Sequence, residues 1–192
     1  MPSDIATDTS SLHSGEKFSL SEILKPLLLS SSNIAAEAIA STDIGSTTST
    51  STAREAFLNM MSGTAWEIGM PKTYFADPSG LDPHNQASSR DIFVLAQYLY
   101  NYRPDILELT RTPFMMMATT TNHDFHLLVS THPFVNDSRF IGGKTGRTLE
   151  AGETMVTMLN IEGKPITFIV LHSRYGYRAY DTDILIRKYM EL

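Results

Sequence analysis

Apolar residues near the start of the chain recur at helical intervals behind polar caps. Ser19 followed by Glu22 is a capping box, and it predicts a short helix that Pro26 interrupts. Leu27–Leu29 then predicts entry into a hydrophobic core, and the alanine-rich segment Ile34–Ala40 predicts a second helix. The two helices would be separated by a short polar turn.

Two longer helices are predicted downstream of a polar segment. Residues 42–52 are a low-complexity run rich in Ser and Thr, which predicts an exposed loop. A second capping box that begins at Thr52 predicts a helix ending near Gly69. A further helix is predicted between a cap at Ser89 and a stop before Pro104.

The last third of the chain has the pattern of strands. Phe140–Gly143, Thr154–Ile161 and Ile166–His172 are predicted strands, and a final helix is predicted over Tyr180–Met190. Helices followed by a meander and one more helix indicate an α+β fold with an antiparallel sheet.

Composition narrows the class of protein. The 192 residues are 42% hydrophobic and 19% charged, with a formal net charge of −6, which is ordinary for a globular domain. The sequence contains no basic stripe and no apolar run near 18 residues, so neither nucleic-acid binding nor a membrane span is predicted. It also contains no cysteine and no signal-peptide pattern at its N-terminus.

The strongest candidate chemistry is a lysine on a glycine-flanked strand. Lys144, Thr145 and Gly146 offer a positive charge, a hydroxyl and an unobstructed backbone, which suits a peptide carboxylate paired with a strand edge. Ser31 and Asn33, on the predicted helix–helix turn, offer a hydroxyl for proton relay and an amide for positioning. The alternative is a basic strand end and an ordinary helix cap.

Two other groups of residues were weighed. His123 and His126, with His132 nearby, have spacing that could bind metal on a helix, but solvated loop histidines are the default interpretation, and no metal or cofactor is predicted. Ser14 and Lys17 form the only Ser-x-x-Lys of the sequence. A lysine in an exposed turn stays protonated and is a poor base, so a charged turn is the prediction there.

Several ordered blocks resemble one family. They are G-E-K-F-S-L-S-E-I-L-K-P-L-L-L-S-S-S-N-I-A-A-E-A-I-A, then A-W-E-I-G-M-P-K-T-Y-F-A-D-P-S-G-L-D, and finally I-G-G-K-T-G-R-T-L-E-A-G. From about Leu12 onwards the sequence is similar to serine-type D-alanyl-D-alanine carboxypeptidases, the low-molecular-weight penicillin-binding proteins. The resemblance implies a DD-peptidase/β-lactamase-like fold, an antiparallel sheet flanked by helices with a helical subdomain. Residues 1–192 would form one incomplete domain, with 12–138 mainly helical and 139–192 holding the strands and last helix.

The resemblance also implies roles. Ser31 would relay protons with Asn33 beside it, while Lys144, Thr145 and Gly146 would hold the terminal carboxylate of a peptidoglycan stem peptide ending in D-Ala-D-Ala. A backbone N–H of that strand would help form the oxyanion hole. The implied reaction is acyl transfer through a serine, outside the cytoplasm in the cell envelope, with β-lactams as ligands of a complete site. Carboxypeptidase, endopeptidase and transpeptidase action share this acyl-enzyme and stay open.

One departure from the family pattern changes the expectation for activity. The family's Ser-x-x-Lys lies several tens of residues before Ser-x-Asn, whereas Ser14 precedes Ser31 by 17 residues. The chain is therefore expected to begin after the nucleophile, without the catalytic helix and N-terminal strands, and to be inactive alone. The alternatives are a non-catalytic peptide-binding remnant or regulatory protein, and a relocated Ser14–Lys17 dyad.

Overall fold

The structure, a computed structural model, describes residues 10–42 and 50–191. In this part of the chain the helices are α1 (Leu20–Leu29), α2 (Asn33–Ala40), α3 (Thr50–Glu67), α4 (Ser89–Tyr102), α5 (Pro104–Thr110) and α6 (Arg178–Met190). None of them is long and apolar enough to cross a membrane.

The strands form two antiparallel sheets. A two-stranded ribbon and a three-stranded sheet in the order β3-β4-β5 contain β1 (Phe114–Met117), β2 (His126–Val129), β3 (Phe140–Thr148), β4 (Gly152–Ile161) and β5 (Lys164–Ser173). The predicted α+β class with an antiparallel sheet is confirmed. Strand β3 starts at its predicted residue but is longer than predicted, and β4 and β5 each start two residues before their predicted starts.

Helices cover both faces of the three-stranded sheet. On one face Phe140, Leu159 and Phe168 pack against Ile186 of α6. On the other face Met158 of β4 packs against Ala96 of α4 and Leu107 of α5. Neighbouring residues Met158 and Leu159 thus bury opposite faces, as the alternation of a strand requires. Strand β3 lies at one edge of this sandwich, where its outer side can face a ligand.

Helix α1 corrects one prediction and confirms another. The Ser19 side chain accepts from the Glu22 N–H and the Ser19 N–H donates to Glu22 Oε2 at 2.7 Å, so the capping box is present. Pro26, however, lies inside the helix and does not interrupt it. Its ring is buried, and its own carbonyl accepts from the Ser32 N–H at 3.1 Å, which closes the last turn despite the missing proline N–H.

The starts of α3 and α4 also differ from the predictions. Helix α3 begins at Thr50, so Thr52 is within the helix and is not its cap. Ser88, one residue earlier than predicted, caps α4 by accepting from the Asp91 N–H. The predicted loop at 42–52 falls largely on residues 43–49, which are outside the described residues.

Helix α5 and the β1–β2 ribbon were not predicted. Both strands of the ribbon are short and almost entirely apolar, so neither sequence shows the alternation of polar and apolar residues that predicts a strand. One face of the ribbon packs Met117 and Leu128 onto Leu29 of α1. The ribbon therefore supports the turn that follows α1, within the region predicted to be mainly helical.

Candidate active site

The turn between α1 and α2 holds Ser31 in an unusual backbone conformation. Ser31 has φ +57°, in the left-handed region where glycine is usual after a helix. It is fixed there from its C-terminal side, because Ser32 donates its N–H to Pro26 and caps α2 with its side chain, which accepts from the Ala35 N–H at 3.1 Å. A strained non-glycine residue that its neighbours hold so firmly is typical of functional sites.

Two glycines allow β3 to lie against its neighbours. A Cβ on Gly142 would be 2.8 Å from Thr110 Oγ1 and 3.0 Å from Leu107 Cδ2. A Cβ on Gly143 would collide with the Val156 carbonyl oxygen and would lie 2.7 Å from His132 Nε2. The groups that closely approach these two glycines are therefore the protein's own side chains and backbone, not a ligand.

The structure brings Lys144 and Ser31 together from positions 113 residues apart. Lys144 Nζ donates to Ser31 Oγ at 2.5 Å and to the Thr145 carbonyl at 2.9 Å. Lys144 is partly exposed as a whole residue, but its ammonium group is buried. Burial, with a smaller contribution from the Arg178 guanidinium, lowers the pKa of Lys144 to about 8. Lys144 at neutral pH is thus cationic but within reach of deprotonation.

Asn33 lies two residues beyond Ser31, as the first residue of α2. It is half-buried, and among residues 10–42 and 50–191 its side-chain amide makes no hydrogen bond that would occupy it. Ser31, which Lys144 contacts, and Asn33 thus lie on either side of Ser32, the N-cap of α2. The position of Asn33 suits an amide that orients a bound peptide.

Thr145 points to the opposite face of β3 from Lys144. Its Oγ1 lies 2.6 Å from Thr131 Oγ1, in the segment after β2, and the Thr131 N–H donates to the Leu29 carbonyl at 3.1 Å. Thr131 thus connects the hydroxyl of Thr145 to the end of α1, just before Ser31. Sequence reasoning missed Thr131, since a single threonine outside any motif carries no signal.

Arg178 is the second residue that the sequence did not reveal. It is the first residue of α6, and its Nη1 donates to the Gly146 carbonyl at 3.2 Å. Its charge also lowers the pKa of Lys144, as stated above, because the two positive charges repel each other. A single arginine after a strand is not a recognisable motif. Its position beside β3 depends on the path of the turn between β5 and α6.

The outer edge of β3 is open from Thr145 onwards. Gly143 donates its N–H away from β4, to Thr110 Oγ1 at 3.1 Å, so α5 covers the edge at that point. The β3–β4 register is regular from Gly143 to Thr148, and alternate residues of an antiparallel strand share their backbone orientation. The N–H group of Thr145 therefore points outwards, where an extended peptide can pair with it. The Thr145 carbonyl is on the same side and already accepts from Lys144 Nζ.

The histidines are buried, so their prediction as solvated loop residues was wrong. His126 Nε2 lies 2.9 Å from Glu16 Oε1, and His123 stacks on Phe18 with ring centroids 4.8 Å apart. The carboxylate contact offsets part of the cost of burying these polar rings, while His126 Nδ1 is buried without a hydrogen-bond partner in the described part of the chain. In the described part of the chain, no group of three or more His, Cys, Asp or Glu residues is arranged to hold a metal ion.

His132 supports β3 from behind. Its Nε2 lies 3.0 Å from the Val156 carbonyl, and its Nδ1 accepts from the Phe134 N–H at 3.2 Å. Burial lowers the pKa of His132 to about 4, with the Arg178 and Lys144 charges adding to the effect. The ring is therefore neutral at pH 7 and serves as a packing group against Gly143.

Ser14 and Lys17 lie in the turn that was predicted for them. Both are exposed, and the Lys17 N–H donates to the Asn122 carbonyl. Neither side chain forms a hydrogen bond with Ser31 or Lys144 in the part of the chain that the structure describes. Their Ser-x-x-Lys spacing therefore has no connection with the site at β3.

The fold and the site define a class. The chain superposes on a DD-transpeptidase from Streptomyces with a TM-score of 0.84 at 24% identity, covering 98% of this chain and 74% of that one. It also superposes on a penicillin-binding protein from Listeria monocytogenes in its ampicillin-bound form, with a TM-score of 0.72 at 28% identity, covering 88% and 66%. The architecture is that of penicillin-binding DD-peptidases.

Sequence comparison specifies the family. The family model for D-alanyl-D-alanine carboxypeptidase matches residues 3–174, and the chain belongs to this family. It is 28% identical to a D-alanyl-D-alanine endopeptidase of Pseudomonas aeruginosa, over 92% of this chain and 55% of that protein. It is 30% identical to the Escherichia coli D-alanyl-D-alanine endopeptidase, over 71% and 44%. The chain thus spans about half the length of these curated relatives.

Proposed function

We propose that this chain carries the substrate-binding and proton-relay part of a serine-type D-Ala-D-Ala peptidase that acts on peptidoglycan stem peptides. The observation that carries the proposal is the buried contact between Lys144 Nζ and Ser31 Oγ beside the open edge of β3. A buried lysine held against a hydroxyl is costly to fold and is expected only where its chemistry is used.

The carboxylate end of the peptide is assigned to the Thr145 face of β3. There the Thr145 hydroxyl, oriented by Thr131, and the Arg178 guanidinium offer donors to an anion. Gly146 keeps the strand free of a side chain at this point, so that a peptide can approach the backbone. Lys144, on the other face, adds positive charge to the same cleft.

The proton-transfer side is assigned to Ser31, Asn33 and Lys144. Because the Lys144 ammonium donates to Ser31 Oγ, the Ser31 proton is directed away from the lysine. In the acyl transfer, a serine oxygen bonds to the carbonyl carbon of the penultimate D-Ala, and the bond to the nitrogen of the last D-Ala breaks. Ser31 passes a proton to that nitrogen, Asn33 orients the peptide, and water later hydrolyses the ester. This route through an acyl-enzyme is common to carboxypeptidase, endopeptidase and transpeptidase action.

The chain spans about half the length of its curated relatives. On that ground we propose that the 192-residue chain by itself binds the peptide but does not cleave it. Two further proposals rest on family membership: action in the cell envelope outside the cytoplasm, and β-lactam binding where the site is complete. The ampicillin-bound form of the Listeria monocytogenes protein supports the second of these.

Peptide binding tests the proposal directly. We expect a fluorescent peptide ending in D-Ala-D-Ala to bind the chain reversibly in an anisotropy titration, and its C-terminal amide to bind more weakly. Lys144→Ala should weaken binding of the carboxylate peptide by about tenfold, because it removes a buried positive charge from the cleft. Lys17→Ala, which removes the same charge from an exposed turn, is the matched control.

Two results would contradict the proposal. Equal affinity of Lys144→Ala and the unaltered chain for the peptide would show that the peptide does not bind at β3. Covalent labelling by a fluorescent penicillin that Ser14→Ala abolishes would show instead a nucleophile at Ser14, the alternative that the exposed turn speaks against.

A further inference from the structure

Arg147 follows the Lys-Thr-Gly sequence at the open edge of the site. It lies two residues beyond Thr145, so the alternation of the strand places both side chains on the same face of β3. Two residues of a strand span about 7 Å. Arg147 is exposed, and Arg178 donates to the carbonyl of Gly146, the residue between Thr145 and Arg147. A ligand at Thr145 is therefore within one side chain's reach of the Arg147 guanidinium.

Tyr175 holds this guanidinium in place. The Arg147 Cζ lies 5.1 Å from the centre of the Tyr175 ring, in the loop between β5 and α6. Stacking on an aromatic face stabilises a guanidinium without using its hydrogen-bond donors. Tyr175 is itself 77% exposed, so it is not there to fill the core. The Arg147 guanidinium, stacked on Tyr175, thus presents its N–H donors to solvent beside the open edge of β3.

No carboxylate of the described chain neutralises Arg147. Among the described residues Arg54, Arg103, Arg139 and Arg187 each form an ion pair with an Asp or Glu, whereas Arg147 and Arg178 share the lack of such a partner with Arg90, Arg111 and Arg174. Glu153 is the cross-strand neighbour of Arg147, but it is buried and accepts from the Gly176 N–H at 2.9 Å. What distinguishes Arg147 from the other unpaired arginines of the described chain is that its guanidinium is stacked on an aromatic ring.

We propose that Arg147 and Tyr175 form a second anion subsite, which selects peptides whose last residue carries a carboxylate in its side chain as well as the terminal one. The substrate class is a peptide ending in D-Ala followed by an acidic D-residue, such as D-Glu. The first carboxylate would lie at Thr145 and Arg178, and the second at Arg147. This inference rests on the proposed function and adds to it a preference for an acidic last residue over D-Ala.

The test compares two peptides that differ only in the last residue, D-Ala-D-Glu and D-Ala-D-Gln, in anisotropy titrations with the 192-residue chain. We expect the D-Glu peptide to bind about three- to fivefold more tightly, the range of a partly exposed ion pair, and the preference to fall in 1 M salt. Arg147→Gln should abolish the preference. Arg90→Gln, which removes the same charge from α4, should retain it.

Tyr175 variants separate the stack from the charge. Tyr175→Phe keeps the ring and should retain the preference, whereas Tyr175→Leu should lose at least half of it. Equal binding of both peptides to the unaltered chain, or a preference that survives Arg147→Gln, would overturn the inference while leaving the proposed function intact. Failure of every peptide ending in two D-residues to bind would instead overturn the proposed function and this inference with it.

Discussion

The chain contains two serine–lysine pairs, and they differ in every physical respect except composition. Ser14 and Lys17 are three residues apart in an exposed turn. Ser31 and Lys144 are 113 residues apart, yet Lys144 Nζ donates to Ser31 Oγ from a buried position that lowers the pKa of the lysine to about 8. Spacing alone would have selected the first pair. Burial and the hydrogen bond favour the second pair, because desolvation lowers the pKa of an amine towards neutral pH.

The surroundings of the two pairs explain the difference. The turn at Ser14 is built by local backbone contacts, and Gly15 has open space around it. The Ser31–Lys144 pair joins two elements that are distant in the sequence, the α1–α2 turn and β3. Gly142 and Gly143 allow β3 to lie against α5, β4 and His132. The reactive pair is therefore a product of tertiary packing, and variants that alter packing should affect the two pairs unequally.

The largest expected effect is the loss of stability in Gly143→Ala, compared with Gly15→Ala at the turn that holds Ser14. Gly143→Ala should lower the free energy of unfolding by about 3 kcal/mol, because its Cβ would collide with the Val156 carbonyl oxygen and the rigid His132 ring. Gly15→Ala should cost only about 1 kcal/mol, from its φ of +96° alone. Urea unfolding of both variants measures this, and equal costs would contradict the packing account.

The second effect concerns the charge of Lys144. Its lowered pKa means that the folded chain binds fewer protons than the unfolded chain between about pH 8 and its ordinary value, so the stability contributed by this group rises with pH there. Lys144→Met should therefore be more stable than the unaltered chain at pH 7, by on the order of 2 kcal/mol. The difference should shrink as the pH is raised through 8 towards 10.

The same titration has an opposite effect on binding. Affinity for a peptide carboxylate should fall as the pH passes about 8, because Lys144 loses its charge. Urea unfolding and anisotropy titrations at each pH provide both curves. A stability difference independent of pH between 7 and 10 would show that the lysine is not charged and desolvated in the folded chain.

The smallest expected effect is the strain at Ser31. Glycine adopts a φ of +57° without a steric cost, whereas serine and alanine do not. Ser31→Gly should thus be about 1 kcal/mol more stable than Ser31→Ala, although both lack the hydroxyl. At Ser14, for which no left-handed φ is recorded, the same pair of substitutions should give no gain for glycine. Thermal unfolding compares the four variants.

Local features of the site could be predicted from the sequence, and distant contacts could not. The capping box at Ser19 and the glycine-flanked strand at Lys144 depend on neighbours within a few residues, so a pattern reveals them. Thr131 and Arg178 act through single contacts to Thr145 and Gly146 that lie 14 and 32 residues away. Only the packing of the β1–β2 ribbon and of α6 brings them there.

The erroneous predictions have similar causes. Pro26 was expected to break α1, but the hydrogen bond from the Ser32 N–H at the helix end and the burial of the Pro26 ring retain the helix. His123 and His126 were expected to be solvated, but Glu16 and Phe18 from the segment before α1 cover them. In each case a polar or conformational penalty that is visible in the sequence is offset by a partner that is not.

Chemical-shift mapping of the labelled chain tests the central claim most directly. Titration with a peptide ending in D-Ala-D-Ala should shift the backbone amides of Thr145, Gly146 and Asn33, and leave those of Ser14 and Lys17 unmoved. The C-terminal amide of the same peptide should produce smaller shifts at Thr145. Shifts centred on the turn at Ser14, or none at β3 at saturating peptide, would contradict the assignment of the site to the open edge of β3.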